Sequence, residues 1–431
     1  MKAKNVWAVV VKHKLIYLGL LINILFYISA YQTKWFDYFF SGSSLHLCCR
    51  GLDFYQVPNG AYAYSHGGSF TGEVAPGAQA YAAGYYSNTN VYHPLFTGLV
   101  GGLLILFAPA NSLYIWMLVK LCITPALVIY FYRNFKEKKY INFAIFLMLI
   151  DFTQYLEIRI SQYQFIFNVF VLLLLINLAK GKNDPLINGI YFCFSLIVKP
   201  IGFLWLPLLF SKGQRKAMLF GLSLFMVTTG IFLINQSGDY YMNNLVSRIF
   251  TPDNSGPIQI ITLDALLRYS TPLPEYILGM IKMAFFVLIL FLSTLRRIHI
   301  VKAFYLSIVF YLLFFNLVYE YYYTTLVIVL AVCLVACPDF QTKGARVLAT
   351  VISLPNVFFL LHYFHVGFVQ DQFLGPDPTL LGWQLIVLSR IIPVILLTFL
   401  VLRTDLRPVY SDLRKFCKVI YKVNKYLEVF G

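Results

Sequence analysis

The run Leu15–Ala30, LIYLGLLINILFYISA, decides the class of fold, and the polar stretch Gly51-Leu52-Asp53-Phe54-Tyr55 follows it. Lysines precede the run at positions 2, 4, 12 and 14. This pattern resembles a signal peptide, but Ile28-Ser29-Ala30 is a poor cleavage site. We therefore expect a retained first transmembrane helix with its N-terminus in the cytoplasm.

The composition of the whole chain indicates a lipid environment. Of its 431 residues, 59% are hydrophobic and only 12% are charged, and its mean hydropathy is +0.72. A soluble domain is about 25% charged, so a soluble fold would leave too much apolar surface in water. Long apolar runs favour helices, because the strands of a membrane barrel alternate in stretches of about ten residues. We therefore predict an all-α polytopic membrane protein.

The formal net charge is +16, and the Lys and Arg residues fall in short clusters between the apolar runs. This distribution is typical of the cytoplasmic loops of membrane proteins, so we expect no nucleic-acid partner. The seven cysteines show no metal-ligand spacing. We expect neither a metal nor another cofactor.

The apolar runs and basic clusters predict about twelve spanning helices with both termini in the cytoplasm. A long first extracytoplasmic loop covers Tyr31–Tyr92 and is rich in Gly, Ser, Tyr and Asn. The run Thr97–Phe107 is roughly half of the ~20 residues that a spanning helix needs, so we expect an interfacial or re-entrant helix. Leu186–Phe210 has basic residues at both ends, which predicts a hairpin with Lys199-Pro200 at its outer tip.

The same charge bias divides the chain between the two sides of the membrane. Asp53, Lys199 and Asp264 are predicted to face the exterior. The cytoplasmic set is Lys138, Lys182, Arg215, Arg297 and the C-terminus. We expect a single integral-membrane domain over residues 1–402, and a basic, amphipathic cytoplasmic tail over residues 403–431 that lies on anionic headgroups.

Several polar residues on the predicted outer side could carry chemistry. Asp53 lies in an aromatic-rich loop at the membrane surface, although Asp is also a favoured helix N-cap. Lys199 has long apolar flanks and no nearby counter-charge in sequence. Ionisable groups at the membrane boundary are functional candidates, and the alternative is that they extend to water. A lone cation at this boundary suits the phosphate of a lipid, and a carboxylate could act as base on an acceptor hydroxyl.

The order of several short motifs resembles that of integral-membrane glycosyltransferases of the C superfamily (GT-C). Within it, the chain is similar to the bacterial family that uses polyprenyl-phosphate sugars, including mannosyltransferases. The resemblance extends over roughly residues 1–340 by the order of its features, and five short stretches match. They are Asp53-Phe54-Tyr55, Tyr92-His93-Pro94-Leu95-Phe96, Ser161-Gln162-Tyr163-Gln164, Lys199-Pro200 with its basic turn, and Ile261-Thr262-Leu263-Asp264-Ala265-Leu266-Leu267-Arg268. His93 stands where the family has Pro, and Ser161 and Gln164 stand where it has Gly and Asn, which leaves the sugar and the subfamily open.

The resemblance implies a GT-C-like fold and a transfer reaction at the extracytoplasmic face of a bacterial plasma membrane. A hexose such as mannose would move, with inversion, from a polyprenyl-phosphate donor to a hydroxyl of a lipid or glycan acceptor. Asp53 would be the catalytic base, and Lys199 and Arg159 would bind the donor phosphate. Further substrate contacts are expected from Tyr55, His93, Gln162, Gln164, Glu320 and Arg268.

Three other functions compete with this one. A lipid-linked-glycan flippase or transporter would place charges along a path through both leaflets, whereas here they are biased to the predicted outer side. A polysaccharide polymerase or ligase would place Arg and His in a late loop, and the loop His365–Leu380 contains no Arg. A structural or assembly protein would leave Asp53 and Lys199 without a role.

Overall fold

A computed structural model describes residues 13–33, 35–36, 51, 53–77, 79–83, 85, 89–233, 260–295, 297–315, 318–359, 368–371, 375–378 and 381–405. The predicted basic tail lies outside the described residues apart from positions 403–405. The same holds for residues 235–259 of the second predicted outer loop, for much of the third, and for part of the first.

Among the described residues, five helices are long and apolar enough to cross a bilayer, or six if one bent pair forms a single span. The five are α1 (Lys14–Ile28, extended by a π-helical turn over Ser29–Thr33), α4 (Pro109–Phe135), α10 (Arg215–Leu233), α12 (Glu275–Thr294) and α16 (Leu381–Asp405). The bent pair is α5 (Ile141–Ile150) and α6 (Thr153–Ile160), with an angle of 46° between them. The chain is therefore helical and suited to a bilayer, and a total of about twelve spans stays a prediction.

The other elements are shorter. The helices are α2 (Gln56–Ser65), α3 (Pro94–Leu104), α7 (Gln164–Ala179), α8 (Pro185–Val198), α9 (Pro200–Ser211), α11 (Leu263–Ser270), α13 (Ile300–Phe314), α14 (Tyr323–Ala336, preceded by a 3₁₀ turn over Glu320–Tyr322) and α15 (Lys343–Ser353). Further 3₁₀ turns cover Pro338–Gln341 and Val357–Phe359. One antiparallel ribbon pairs β1 (Phe368–Asp371) with β2 (Gly375–Pro378), so that Phe368 faces Pro378.

Two predicted elements agree with the structure, and one predicted helix is broken at a polar residue. The expected short helix over Thr97–Phe107 is the short apolar helix α3. The expected hairpin is formed by α8 and α9, and its tip is Lys199 in extended conformation (φ −147°, ψ 131°). The apolar run Tyr140–Leu156 predicts one helix, but it breaks at Asp151, whose carboxylate binds the N–H and hydroxyl of Thr153.

Local sequence explains where several helices begin. The carboxylate of Asp184 accepts the N–H of Leu186, and Pro185 at the first helical position has no N–H to satisfy. Thr262 caps α11 in the same way through the N–H of Ala265. Such caps each contribute about 1 kcal/mol, so α8 and α11 start at these residues.

The centre of the bundle is formed by α13 and α14, which are buried over almost their whole lengths. They pack against each other, and both also contact α7. Elsewhere α8 and α10 come close because glycines face each other: a Cβ added at Gly221 would lie 2.6 Å from the carbonyl oxygen of Gly189. Small residues of this kind allow helix backbones to approach closely within a membrane.

Residues predicted on opposite sides of the membrane lie at opposite ends of the bundle. The helix α7 starts at Gln164 and runs 16 residues, about 24 Å, before the chain reaches Lys182. Helix α8 then returns to Lys199. We call the end that carries Asp53 and Lys199 the site end, and the opposite one the far end.

The other charges follow the same division. Gln214, beside Arg215, donates to Asn183 of the far end at 2.6 Å. Lys212 donates to the carbonyl oxygens of Leu295 and Ile298, which flank Arg297. The segment that leads to Asp264 is bound at the site end, because the N–H of Ile261 donates to the carbonyl oxygen of Val318 at 3.0 Å. Which end faces the exterior stays a prediction.

Candidate functional site

The stretch Gly51–Tyr55 is attached by its backbone to the end of α6. The N–H of Gly51 donates to the carbonyl oxygen of Arg159 at 3.5 Å, and the N–H of Asp53 donates to that of Ile160 at 3.3 Å. Gly51 has a φ of +70°, which glycine adopts without strain. The glycine therefore allows the loop to follow the end of the helix.

The chain between α6 and α7 turns sharply at Ser161. Its φ of +54° lies in the left-handed region that is uncommon for residues with a Cβ. The N–H of Ser161 donates to the carbonyl oxygen of Ile158, and the N–H of Gln162 donates to that of Glu157, both at 3.1 Å. We call residues 157–165 the corner; these two bonds fix the position from which the Gln162 side chain extends.

Asp53 is buried, with 5% of its surface exposed, and its carboxylate is held by side-chain amides. Gln56 Nε2 donates to Oδ1 at 2.9 Å, and Gln162 Nε2 donates to Oδ2. The N-cap residue of α2 is Tyr55, which makes no side-chain capping bond. The described contacts therefore do not support the alternative in which Asp53 is a helix cap.

The Gln162 amide is the centre of the site. Besides Asp53, its Nε2 contacts the Tyr321 hydroxyl at 3.0 Å, and its Oε1 accepts from the Tyr92 hydroxyl at 2.7 Å and from the N–H of Tyr163 at 3.2 Å. Both ends of the amide are thereby oriented. The carboxylate of Asp53 is held at a fixed position relative to Tyr321.

Lys199 lies on the other side of Tyr321. Its Nζ donates to the Tyr322 hydroxyl at 3.1 Å, and it lies 4.1 Å from the ring centroid of Tyr322 and 5.3 Å from that of Tyr321. Only 8% of the Lys199 surface is exposed, so the side chain does not extend freely to water. Among the described residues it forms no ion pair, although the Glu157 carboxylate interacts with it electrostatically.

Asp53 and Lys199 thus belong to one site, although 146 positions separate them in the numbering (199 − 53). Two side chains link them. The Gln162 amide contacts both the Asp53 carboxylate and the Tyr321 hydroxyl, and the Lys199 ammonium lies over the Tyr321 ring. The sequence predicts that Asp53, Lys199 and the Gln162 corner converge on one outward-facing cavity; the contacts link the three, and the cavity stays a prediction. The site thus holds a buried carboxylate and a buried cation on either side of an aromatic residue.

Two predicted substrate contacts occupy supporting positions. The Tyr55 hydroxyl donates to the carbonyl oxygen of Pro109 at 3.4 Å, and its ring packs on Tyr85. The imidazole of His93 caps α3 through the N–H of Leu95, and its Nε2 lies 2.9 Å from the Thr229 hydroxyl of α10. The residue before it, Tyr92, is the one that meets Gln162.

Gln164 and Arg159 also make contacts with neighbouring helices. Gln164 Nε2 donates to the Thr325 hydroxyl at 2.6 Å, in a network that joins α7 to α14 through Asn168. Arg159 is buried, and its Nη1 donates to the carbonyl oxygen of Ala30 at 3.4 Å. The contacts described for Arg159 do not connect it with Lys199.

Glu320 and Arg268 are held in ion pairs. Arg390 of α16 donates to the Glu320 carboxylate through Nε at 2.8 Å and through Nη2, and both side chains are 4% exposed. Arg268 pairs with Asp264 on its own helix and with the exposed Glu275. Hydropathy and charge patterning did not indicate that Arg390 is the partner of Glu320.

Sequence reasoning missed the roles of three groups. Tyr321 and Tyr322 complete the site, and the run of tyrosines around Glu320 was the available signal. Lys120 of α4 forms a buried ion pair with Glu157 at 2.7 Å, and its isolation in an apolar helix was the signal there. In the part of the chain that the structure describes, no group of three or more His, Cys, Asp or Glu residues could hold a metal ion.

A cavity of about 40 Å³ lies below the corner. Its polar lining comes from Thr124, Asp151, Gln154, Glu157, Asn168 and Thr324. Glu157 and Phe165 of the corner line this cavity, whereas Asp53 and Lys199 do not.

No protein-family model matches this chain, and no curated protein matches it at a significant level.

Proposed function

We propose that this protein is a polyprenyl-phosphate-sugar-dependent hexosyltransferase of the GT-C type that works at the extracytoplasmic face of the membrane. One observation carries the proposal: a single amide and a single aromatic residue join Asp53 to Lys199. The resemblance in motif order suggests the class of donor. The apolar helices are suited to a bilayer, which would also hold the lipid tail of such a donor.

In the proposed reaction, Asp53 accepts the proton of an acceptor hydroxyl. The hydroxyl oxygen forms a bond to the anomeric carbon while the bond from that carbon to the phosphate oxygen breaks. The electron pair leaves with polyprenyl phosphate, and the configuration of the sugar inverts. A transition state with oxocarbenium character is common to such displacements, and general-base assistance contributes about 10²–10⁴ in rate.

The amides around Asp53 suit it to this role. Gln56 and Gln162 both donate to the carboxylate, and hydrogen bonds of an amide to an ionised acceptor are stronger than neutral ones. Gln162 is itself oriented by Tyr92 and Tyr321. The Asp53 carboxylate is therefore held at a fixed position before substrate binds.

Lys199 is suited to the leaving group. An ammonium over aromatic rings is attracted by their faces, so Tyr321 and Tyr322 hold the cation at the site in the absence of an anion. A phosphate monoester leaving group would gain a charge-assisted bond from the same Nζ. Electrostatic groups that are fixed in advance are those that stabilise developing charge most effectively.

The test is transfer by purified protein in vesicles. Labelled polyprenyl-phosphate hexose is supplied with a set of hydroxyl acceptors, and both a glycoside and free polyprenyl phosphate are measured. We expect the two products in equal amounts, with an anomeric configuration opposite to that of the donor.

Other outcomes identify the competing functions. Movement of intact donor between leaflets without any glycoside would indicate a flippase and refute the proposal. A ladder of products of increasing length would indicate a polymerase. Retained anomeric configuration would exclude direct displacement by the acceptor.

A further inference from the structure

We propose that the buried Lys120–Glu157 ion pair is a positioning device that holds the corner, and through it Asp53, in its working geometry. This inference rests on the proposed function for its catalytic consequence. Its structural consequence, the ordering of the loop Gly51–Gln56 by the pair, is independent of any activity. Neither residue is assigned contact with a substrate.

The ion pair joins α4 to the corner. Lys120 Nζ donates to Glu157 Oε1 at 2.7 Å, and the two side chains are 0% and 2% exposed. The same Nζ lies 5.7 Å from the ring centroid of Trp116 and 6.0 Å from that of Phe165. A charge at this depth is stable only beside an opposite charge, so the pair strongly restricts how α4 and the corner can move apart.

Glu157 connects both arms of the corner. Its Oε1 accepts the N–H of Phe165 at 3.3 Å, in the first turn of α7, and its carbonyl oxygen accepts the N–H of Gln162 at 3.1 Å. Gln162 then donates to the carboxylate of Asp53. One residue paired with Lys120 thus fixes the backbone from which the amide reaches the base.

A second route from α4 to the same loop supports this assignment. Trp116, one turn before Lys120, packs on Tyr163 with ring centroids 4.8 Å apart. The Tyr163 hydroxyl donates to the carbonyl oxygen of Phe54 at 2.9 Å. The segment of α4 around Lys120 therefore contacts the corner at Glu157, before Gln162, and at Tyr163, after it. The loop that carries Asp53 is hydrogen-bonded to the corner on both sides of Gln162 as well.

The experiment separates pairing from packing with three variants. Lys120→Met removes one charge and leaves Glu157 buried without its ion-pair partner. The double variant Lys120→Met/Glu157→Gln removes both charges, while the amide oxygen of the introduced glutamine can still accept the N–H of Phe165. Lys302→Met is the matched control, since Lys302 is a buried lysine paired with Asp339 and Asp405 at the far end.

Two readouts are measured in membranes or detergent on the full chain. Hydrogen–deuterium exchange follows the amides of residues 51–56, where Gly51 and Asp53 donate to the corner. Steady-state kinetics follows kcat and the donor KM. We expect Lys120→Met to raise the exchange rate of this segment at least about tenfold and to lower kcat about a hundredfold, because a displacement of about 1 Å can cost that much.

In the same variant we expect the donor KM to change less than about threefold. The double variant should return exchange to the wild-type rate and kcat to within about fivefold, and Lys302→Met should leave both unchanged. Wild-type exchange in Lys120→Met would overturn the proposal, and so would a double variant as impaired as the single one, or an equal effect of Lys302→Met.

If Lys120→Met does not accumulate in the membrane, the double variant and Lys120→Arg, which keeps the charge, are measured instead. The proposal is overturned if both variants exchange the amides of residues 51–56 faster than wild type. A wild-type protein without transferase activity but with the predicted exchange pattern would refute the proposed function and leave the positioning device standing.

Discussion

Replacement of Asp53 by Asn tests the proposed base most directly. Asn has the same shape, but its amide cannot accept a proton from an acceptor hydroxyl. We expect turnover to fall by about 10²–10⁴, which corresponds to roughly 3–5 kcal/mol of transition-state stabilisation. We expect donor binding to persist, since Lys199 and its tyrosines are untouched.

The structure indicates that the Asn side chain fits. Its oxygen can keep the bond from Gln162, and its nitrogen can donate to Gln56 if that amide rotates. The Gln56 Oε1 is buried and without a hydrogen-bond partner, so rotation gives that atom a donor and leaves Nε2 in its place without the acceptor it has now. Two charge-assisted bonds become neutral ones, at about 1 kcal/mol each, and the smaller desolvation of a neutral side chain offsets part of this. The expected loss of stability is at most about 2 kcal/mol, less than the loss of activity.

Asp184→Asn is the matched control. Asp184 is a true N-cap at the far end, with its carboxylate bound to the N–H groups of Leu186 and Ile187, and Asn caps about as well as Asp. The assay is single-turnover transfer by purified protein, with donor binding and thermal stability measured on the same samples. The control should be within about twofold of wild type in all three.

The reasoning is refuted if Asp53→Asn transfers the sugar at a rate near that of wild type. It is also refuted if the variant loses donor binding and activity in the same proportion, because the aspartate would then be a binding or folding residue. A rate that falls about a hundredfold or more with donor affinity retained supports the base.

The remaining predictions concern charge and topology. Lys199→Ala should reduce donor use about ten- to a hundredfold, because one charge-assisted bond of about 1.5–3 kcal/mol is lost. Lys199→Arg should have a smaller effect, because the charge is kept. Unchanged kcat and KM in Lys199→Ala would show that the lysine does not bind the donor and only extends to water at the membrane boundary. Arg390→Met should destabilise the protein by about 3–5 kcal/mol, because it leaves Glu320 buried without its cation; thermal unfolding measures this, and an unaltered midpoint contradicts it. In a variant without native cysteines, an impermeant thiol reagent applied to intact cells should label Glu275→Cys and not Lys138→Cys; the reverse pattern would invert the topology.

The positions of several helices were predictable, because the length and the polar ends of an apolar run indicate where a membrane helix begins and ends. The sequence has an apolar run over Gln164–Ala179 with polar residues on both sides, which predicts a helix there, and α7 has these bounds. The basic clusters around Lys182, Arg215 and Arg297 lie together at the far end, as expected for loops on one side of a membrane. Lys199 at a hairpin tip followed from basic residues on either side of its apolar flanks.

The partners of the buried charges were not predictable. Lys120 pairs with Glu157 across 37 positions, and Glu320 pairs with Arg390 across 70. Hydropathy indicates the depth of a residue in the bilayer but not which helix faces it. Glu320 is predicted to contact a substrate, and in the structure its carboxylate is bound by Arg390 of α16.

The depth of a lysine in the membrane does not by itself indicate a functional role; the chemistry of its contacts does. The buried lysines among the described residues are Lys120, Lys302 and Lys199. Carboxylates lie within ion-pair distance of the first two, so each is already satisfied as a link between helices. Lys199 contacts the hydroxyl of Tyr322 and the ring faces of two tyrosines, which hold the ammonium without neutralising it. Buried charges are stable when they are paired, so we propose that an anionic ligand completes Lys199 as the carboxylates complete the other two, on the opposite side of Tyr321 from the Gln162 amide that binds Asp53.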